Sequence, residues 1–117
     1  SESWLREPAK RAEEFRRVVK VKEGLYVSEA VYRAGKTLRI ILVTDGNSIF
    51  DLQILGDFFI VPHDAVKALE KSLIGAKLDL NELEERISKV YHDLNIESPG
   101  VTPGDIAKAI LTSRPKG

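Results

Sequence analysis

The stretch TLRIILVTDGNSIFDLQILG, residues 37–56, decides the fold of this chain. Apolar residues alternate in its first half, with Leu38, Ile40 and Leu42 on one face of a predicted strand. The segment DGN at residues 45–47 is a strong hairpin signal. The second half alternates again, which predicts that Phe50, Leu52 and Ile54 point inward and that Asp51 and Gln53 point outward.

A third strand is predicted upstream, at residues 26–33, which are rich in Tyr and Val and end at Ala34-Gly35. The short connections between the three runs indicate an antiparallel meander. Residues 8–19 are predicted to form a helix instead, because Pro8 suits a first helical position and one face would carry Ala12, Phe15 and Val19.

The second half of the chain has the period of helices. A stripe of Val66, Leu69 and Leu73 is followed by Gly75, which can end a helix. Two further helices begin at cap signals, Asp79 with Glu82 and Thr102-Pro103-Gly104-Asp105. The predicted fold class is therefore α+β, a small three-stranded antiparallel meander covered by helices, with an extra N-terminal helix. We expect a helical extension at residues 1–22 and the main domain at residues 23–117.

Composition excludes several classes of function. The 18 basic and 18 acidic residues balance, so charge does not indicate nucleic acid or an anionic membrane as a partner. The absence of cysteine excludes disulfides and thiolate metal sites. No apolar run approaches the roughly 20 residues of a membrane span, so a cytoplasmic protein is expected. The lack of Met and Cys and the 31% charged residues favour a heat-adapted source.

The chain offers no residue set that we would expect to act as an active site of its own. Its two histidines, His63 and His92, fall in different predicted helices, and no spacing indicates metal ligands. Ser48 and Ser72 lack the context of a nucleophile, and no glycine loop of the phosphate-binding kind is present.

Two short segments remain as candidates for function. The first is GDFFIVP at residues 56–62, a strand-to-helix corner in which one phenylalanine should enter the core and the other should face something else. The second is the turn around Gly35, which carries the cations Arg33, Lys36 and Arg39. From the residues alone, this turn is either a hairpin with solvated side chains or a loop that presents a cation to an anionic group.

These same segments resemble a known family. AGKTLRI at residues 34–40, GDFF at residues 56–59 with Pro62, and LEKSLIG at residues 69–75 resemble the C-terminal, accessory domain of lipoate–protein ligases. The chain looks most similar to the archaeal form, in which this domain is a separate small subunit. The resemblance spans about Gly24 to Leu111.

The resemblance implies an ATP-dependent reaction in which lipoate becomes lipoyl-adenylate and is then transferred to a lysine of a lipoyl domain. The acceptor would belong to a 2-oxoacid dehydrogenase or to the H protein of the glycine cleavage system. In this family the catalytic lysine and the glycine-rich motif belong to the large subunit. The implied role is a non-catalytic subunit of a heterodimer that binds no cofactor alone, with ATP, Mg and lipoate bound by the complex.

We hypothesise that the two candidate segments contact the partner. The expected contacts to the catalytic subunit or its substrate loop are Gly35, Lys36, Gly56, Asp57, Phe58 and Phe59, and the possible anion contacts are Arg33, Lys36 and Arg39. Residues 1–22 have no counterpart in the minimal accessory domain and would either pack on the sheet, which we favour, or dock on the partner.

The alternative function is a stand-alone acyl- or peptide-binding module. A nucleic-acid role is disfavoured by the neutral charge.

Overall fold

The computed structural model of the chain describes residues 13–115, with side chains from residue 18 onward. Its elements in chain order are β1 (Glu13–Lys22), β2 (Leu25–Arg33), β3 (Thr37–Thr44), β4 (Ile49–Gly56), α1 (Ala65–Leu73), α2 (Leu80–Leu94) and α3 (Pro103–Ser113).

The four strands form one antiparallel meander in the order β1-β2-β3-β4. In the middle of the sheet, Leu42 pairs with Ser28 on one side and with Leu52 on the other. The α+β class and the antiparallel meander are therefore confirmed. The number of strands is four, where the sequence predicted three.

The additional strand is β1, which lies in the segment for which the sequence predicted a helix. The predicted helix at residues 8–19 is wrong from Glu13 onward, because these residues belong to β1 and pair with β2. The three β-branched residues Val18, Val19 and Val21 favour a strand, and the ladder with β2 satisfies the backbone. The predicted packing of this segment on a free sheet face is likewise wrong for residues 13–22, which extend the edge of the sheet. Residues 1–12 lie outside the described part, and the boundary between residues 22 and 23 stays a prediction.

The core lies on one face of the sheet. Leu38, Ile40 and Leu42 of β3 are fully buried there. The helices cover this face with buried side chains that include Leu69, Leu73, Leu83, Ile87, Ile106 and Ile110. This burial of one strand face and three helix faces supplies the main driving force for folding.

A register shift between β3 and β4 changes which residue at the start of β4 points inward. Val43 pairs with Asp51 whereas the next residue, Thr44, pairs with Ile49. The extra residue at this bulge turns Ile49 into the core and leaves Phe50 50% exposed. The prediction that Phe50 points inward is therefore wrong, while the inward Leu52 and Ile54 and the outward Asp51 and Gln53 are confirmed.

The helix starts follow the predicted caps. The Asp79 side chain accepts a hydrogen bond from the Glu82 backbone N–H, and Thr102 and Asp105 form a complete capping box with Pro103 in the first turn. The Glu82 carboxylate, however, accepts from the Lys77 N–H, so the first of these caps is not a full capping box. No helix among residues 13–115 is both long enough and apolar enough to cross a membrane.

Helix α3 packs against β2 and β3 through small side chains. Ser28 and Ala30 of β2 and Ala107 and Ala109 of α3 are all buried. The Ser28 hydroxyl has no hydrogen-bond partner among the described residues. An unpaired hydroxyl in an apolar core loses its bonds to water and gains none in return.

Replacing Ser28 with alanine should therefore stabilise the protein. We expect Ser28→Ala to raise the free energy of unfolding by about 1 kcal/mol, measured by denaturant titration. Ser113→Ala is the matched control, because the buried Ser113 hydroxyl donates to the Ile110 carbonyl at 2.7 Å and its loss should bring no such gain. A Ser28→Ala protein that is no more stable than the parent would contradict this account of the core.

Candidate functional site

The two segments that the sequence singled out lie side by side in the fold. The Asp57 backbone N–H donates to the Thr37 carbonyl at 3.1 Å, which joins the end of β4 to the start of β3. A third segment, the loop before α3, lies on the β2–β3 turn, since a Cβ on Gly35 would fall 2.5 Å from the Gly100 carbonyl oxygen. We call the place where Gly35, Lys36, Gly56, Asp57 and Gly100 meet the glycine corner.

Close backbone approach explains the glycine at the end of β4. Gly56 pairs with Leu38. A Cβ on Gly56 would lie 2.6 Å from the Thr37 carbonyl oxygen and 2.9 Å from Cδ1 of Phe58. Real Cβ atoms do not approach backbone oxygens so closely, so only glycine allows both the hydrogen bond from Asp57 and the position of the Phe58 ring.

The two adjacent phenylalanines separate as predicted. Phe58 is half-buried and packs against the core, whereas Phe59 is 67% exposed. The segment that follows is anchored because Val61 and Glu97 exchange backbone hydrogen bonds at 2.8 and 2.9 Å. Phe59 is therefore a large apolar side chain held in the solvent by a fixed backbone, which is typical of an interface anchor.

The structure separates the three predicted anion contacts. Arg39 is paired, with its Nη1 2.6 Å from Oε2 of Glu29, on the sheet face opposite to the core. Arg33 is exposed at the end of β2. Lys36 is exposed and forms no ion pair with any side chain of residues 18–115. Lys36 is therefore a cation at the glycine corner that is available to an external anion.

The loop that carries Gly100 is the part of the site that the sequence analysis did not identify, because SPG at residues 98–100 is by composition only a break between helices. The Ser98 hydroxyl donates to the Val101 carbonyl at 2.7 Å, and Tyr91 Oη lies 2.6 Å from Ser98 Oγ. Because Ser98 has a single proton, the Tyr91 hydroxyl must be the donor between them. A tyrosine hydroxyl is protonated at neutral pH, and burial raises the pKa of Tyr91 further. The only local signal for this loop was the Pro-Gly pair, and Gly100 indeed has a positive φ of 85°.

The chemistry of the corner is that of binding. The corner has a cation at Lys36 and an exposed carboxylate at Asp57, and the exposed ring of Phe59 follows two residues after Asp57. His63 and His92 are both exposed and lie outside it. No group of three His, Cys, Asp or Glu side chains that could hold a metal ion occurs among the described residues.

An open cleft lies at the opposite end of the sheet, beside the β3–β4 hairpin. It is lined by Tyr26, Asn47 and Arg114, among others. The Arg114 guanidinium donates to the Leu78 carbonyl at 3.4 Å and so ties the end of α3 to the start of α2. None of the predicted contact residues lines this cleft.

Comparisons with known proteins agree with the resemblance seen in the sequence. The family model for the bacterial lipoate protein ligase C-terminus matches residues 27–110, a range that contains the whole glycine corner. Lipoate-protein ligase A subunit 2 of Thermoplasma acidophilum is 35% identical over 74 residues, which cover 62% of this chain and 74% of that protein.

A solved structure is similar as well. It contains a bipartite lipoate protein ligase and its E2 lipoyl domain from Thermoplasma acidophilum. The match has a TM-score of 0.63 and 28% identity, and it covers 82% of this chain and 97% of that chain. On the strength of the family match over residues 27–110, the chain belongs to the family of lipoate protein ligase C-terminal domains.

Proposed function

We propose that this chain is the non-catalytic accessory subunit of a two-part lipoate–protein ligase. It would act with the catalytic subunit in the ATP-dependent activation of lipoate to lipoyl-AMP during protein lipoylation. The observation that carries the proposal is the similarity to subunit 2 of the Thermoplasma ligase. The glycine corner supports it, because its exposed groups are suited to binding a partner.

Docking would take place through the glycine corner. Phe59 would enter a pocket of the catalytic subunit, with Lys36 and Asp57 at its polar margin. Contact at this place would order a mobile substrate loop of the catalytic subunit and favour its adenylation-competent conformation. The accessory chain would then act on the catalytic subunit as a bound ligand does, by favouring one conformation, and this requires no catalytic residue of its own.

ATP, Mg and lipoate would be bound mainly by the partner. A magnesium ion requires several oxygen ligands, and the corner offers one carboxylate, that of Asp57. Lys36 is suited to a supporting contact with an oxyanion, such as a nucleotide phosphate. The acceptors would be lipoyl domains of 2-oxoacid dehydrogenases or the glycine cleavage H protein, and the reaction would take place in the cytoplasm.

A second candidate function is a stand-alone module that binds an acyl chain or a peptide. The exposed Phe59 favours it, since an exposed aromatic ring can also contact a small apolar ligand. This function requires measurable affinity for such a ligand in the absence of any partner. The accessory function requires affinity for the catalytic subunit first.

The first test combines the chain with the catalytic subunit from the same genome. We expect lipoate-dependent formation of lipoyl-adenylate only in the mixture, measured as pyrophosphate release, with each component alone as a control. Transfer from chemically prepared lipoyl-adenylate to a lipoyl domain should depend less on this chain. A catalytic subunit that is equally active alone and forms no complex would refute the accessory function.

Substitutions at the two phenylalanines should separate binding from stability. Phe59→Ala should weaken the heterodimer about 30-fold, which corresponds to about 2 kcal/mol, with an unchanged melting temperature. Phe58→Ala should lower the free energy of unfolding by about 2 kcal/mol, because a half-buried ring leaves a cavity.

Phe50→Ala is the matched control for these two variants. Phe50 is an exposed phenylalanine at the far end of β4, 50% accessible to solvent, and its removal should change neither binding nor stability appreciably. Calorimetric titration and thermal unfolding measure both properties for all three variants. Equal losses of binding for Phe59→Ala and Phe50→Ala would place the interface elsewhere.

A further inference from the structure

The side chain of Lys36 lies across the bare backbone of Gly100. A Cβ on Gly100 would fall 3.3 Å from Cγ of Lys36, 3.6 Å from its Cε and 4.0 Å from its Cδ. Three carbons of the lysine stem thus lie along one face of the glycine. A lysine stem in free solvent samples many rotamers, so this contact restricts the region in which the ammonium group can lie.

The backbone of Gly100 is itself fixed from several sides. The Tyr91–Ser98–Val101 hydrogen bonds hold the loop from within, and the Val101 N–H donates to the Ser98 carbonyl at 3.0 Å. The side chain of Val101 is buried in the core, and the backbone of Gly35 lies so close to the Gly100 carbonyl that a Cβ would not fit between them. The surface beneath Lys36 is therefore a rigid part of the fold.

The charge of Lys36 has no partner in the described part of the chain. Some other surface cations do have a partner: Arg39 pairs with Glu29, Arg86 with Glu82 and Lys89 with Asp93. A cation whose stem is held while its charge is unpaired is preorganised for an anion from outside the chain, because less conformational entropy is lost on binding.

We propose that Gly100 is a positioning residue, which holds Lys36 so that its ammonium group meets an oxyanion in the complex with the catalytic subunit. This inference rests on the proposed function. The oxyanion is either a phosphate of the bound nucleotide or a carboxylate of the partner, and the two sources affect different measured constants. A phosphate contact affects the KM for ATP, and a carboxylate contact affects the Kd of the heterodimer.

The experiment compares Gly100→Ala with Lys36→Met, Lys36→Arg and the double variant in the reconstituted heterodimer. Gly75→Ala is the control for backbone strain. Gly75 has a φ of 87°, close to the 85° of Gly100, but a Cβ there would meet nothing within 4 Å. The constants measured are the KM for ATP, kcat and the Kd of the heterodimer.

We expect Gly100→Ala and Lys36→Met to raise the same constant about tenfold, as for the loss of one charge-assisted contact, while Gly75→Ala raises neither. In the Lys36→Met background, Gly100→Ala should raise the constant no further. Lys36→Arg keeps the positive charge and should raise the constant less than Lys36→Met does. The proposal is overturned if Gly100→Ala behaves like Gly75→Ala. It is also overturned if Gly100→Ala raises the constant as much in the Lys36→Met protein as it does in the parent protein.

A measurement on the free chain separates this inference from the proposed function. NMR relaxation should show the Lys36 side-chain methylenes to be more ordered than those of the exposed Lys67, and Gly100→Ala should remove the difference where Gly75→Ala does not. A Lys36 stem as mobile as that of Lys67 overturns the positioning role, whatever the activity of the complex. An ordered stem in a chain that does not bind the catalytic subunit refutes the oxyanion contact and the proposed function together, and leaves the contact with Gly100 established.

Discussion

The close approach of backbone at Gly35, Gly56 and Gly100 is the constraint on which the glycine corner depends. A Cβ on Gly35 or Gly56 would fall within 2.6 Å of a backbone oxygen that belongs to another segment. Because neither contact involves a flexible side chain, neither could be relieved by a change of rotamer. The absence of two side chains thus lets the β2–β3 turn, the end of β4 and the loop before α3 occupy one place.

The same constraint links the corner to the core. The loop that carries Gly100 continues into the capping box of Thr102 and Asp105, which fixes the first turn of α3. Helix α3 in turn packs on β2 and β3 through small buried side chains. The position of Lys36 over Gly100 therefore depends on the packing of a helix against the sheet. Of the two adjacent phenylalanines, Phe58 contributes to the core and Phe59 is exposed, which is why we propose Phe59 as the contact with a partner.

The sequence predicted those features that depend on neighbours along the chain. Alternation identified β3 and the inward Leu52 and Ile54 of β4, and the DGN segment identified the hairpin between these two strands. Cap residues identified the starts of α2 and α3. Local patterns failed where a distant segment decided the outcome. The spacing of Ala12, Phe15 and Val19 suits a helix, but the ladder with β2 makes residues 13–22 a strand. In β4, a bulge opposite Thr44 buries Ile49 in the core and leaves Phe50 exposed. Both halves of the corner were recognised separately, yet the contact of the Gly35-Lys36 turn with Gly100, more than 60 residues from Gly35, has no signature in local spacing.

A subunit without catalytic residues can accelerate a reaction by binding one conformation of its partner more tightly than another. To move a partner from 1% to 99% in the active conformation, the difference in binding free energy must reach about 5.5 kcal/mol. An aromatic anchor such as Phe59 contributes about 2 kcal/mol, and a hydrogen bond to a charged group contributes about 1.5–3 kcal/mol. Together these contacts approach the required value only if both are made in the active conformation alone. A cation held by the fold, as Lys36 is over Gly100, meets that condition better than a mobile one, because it can reach its anion only when the partner places that anion correctly.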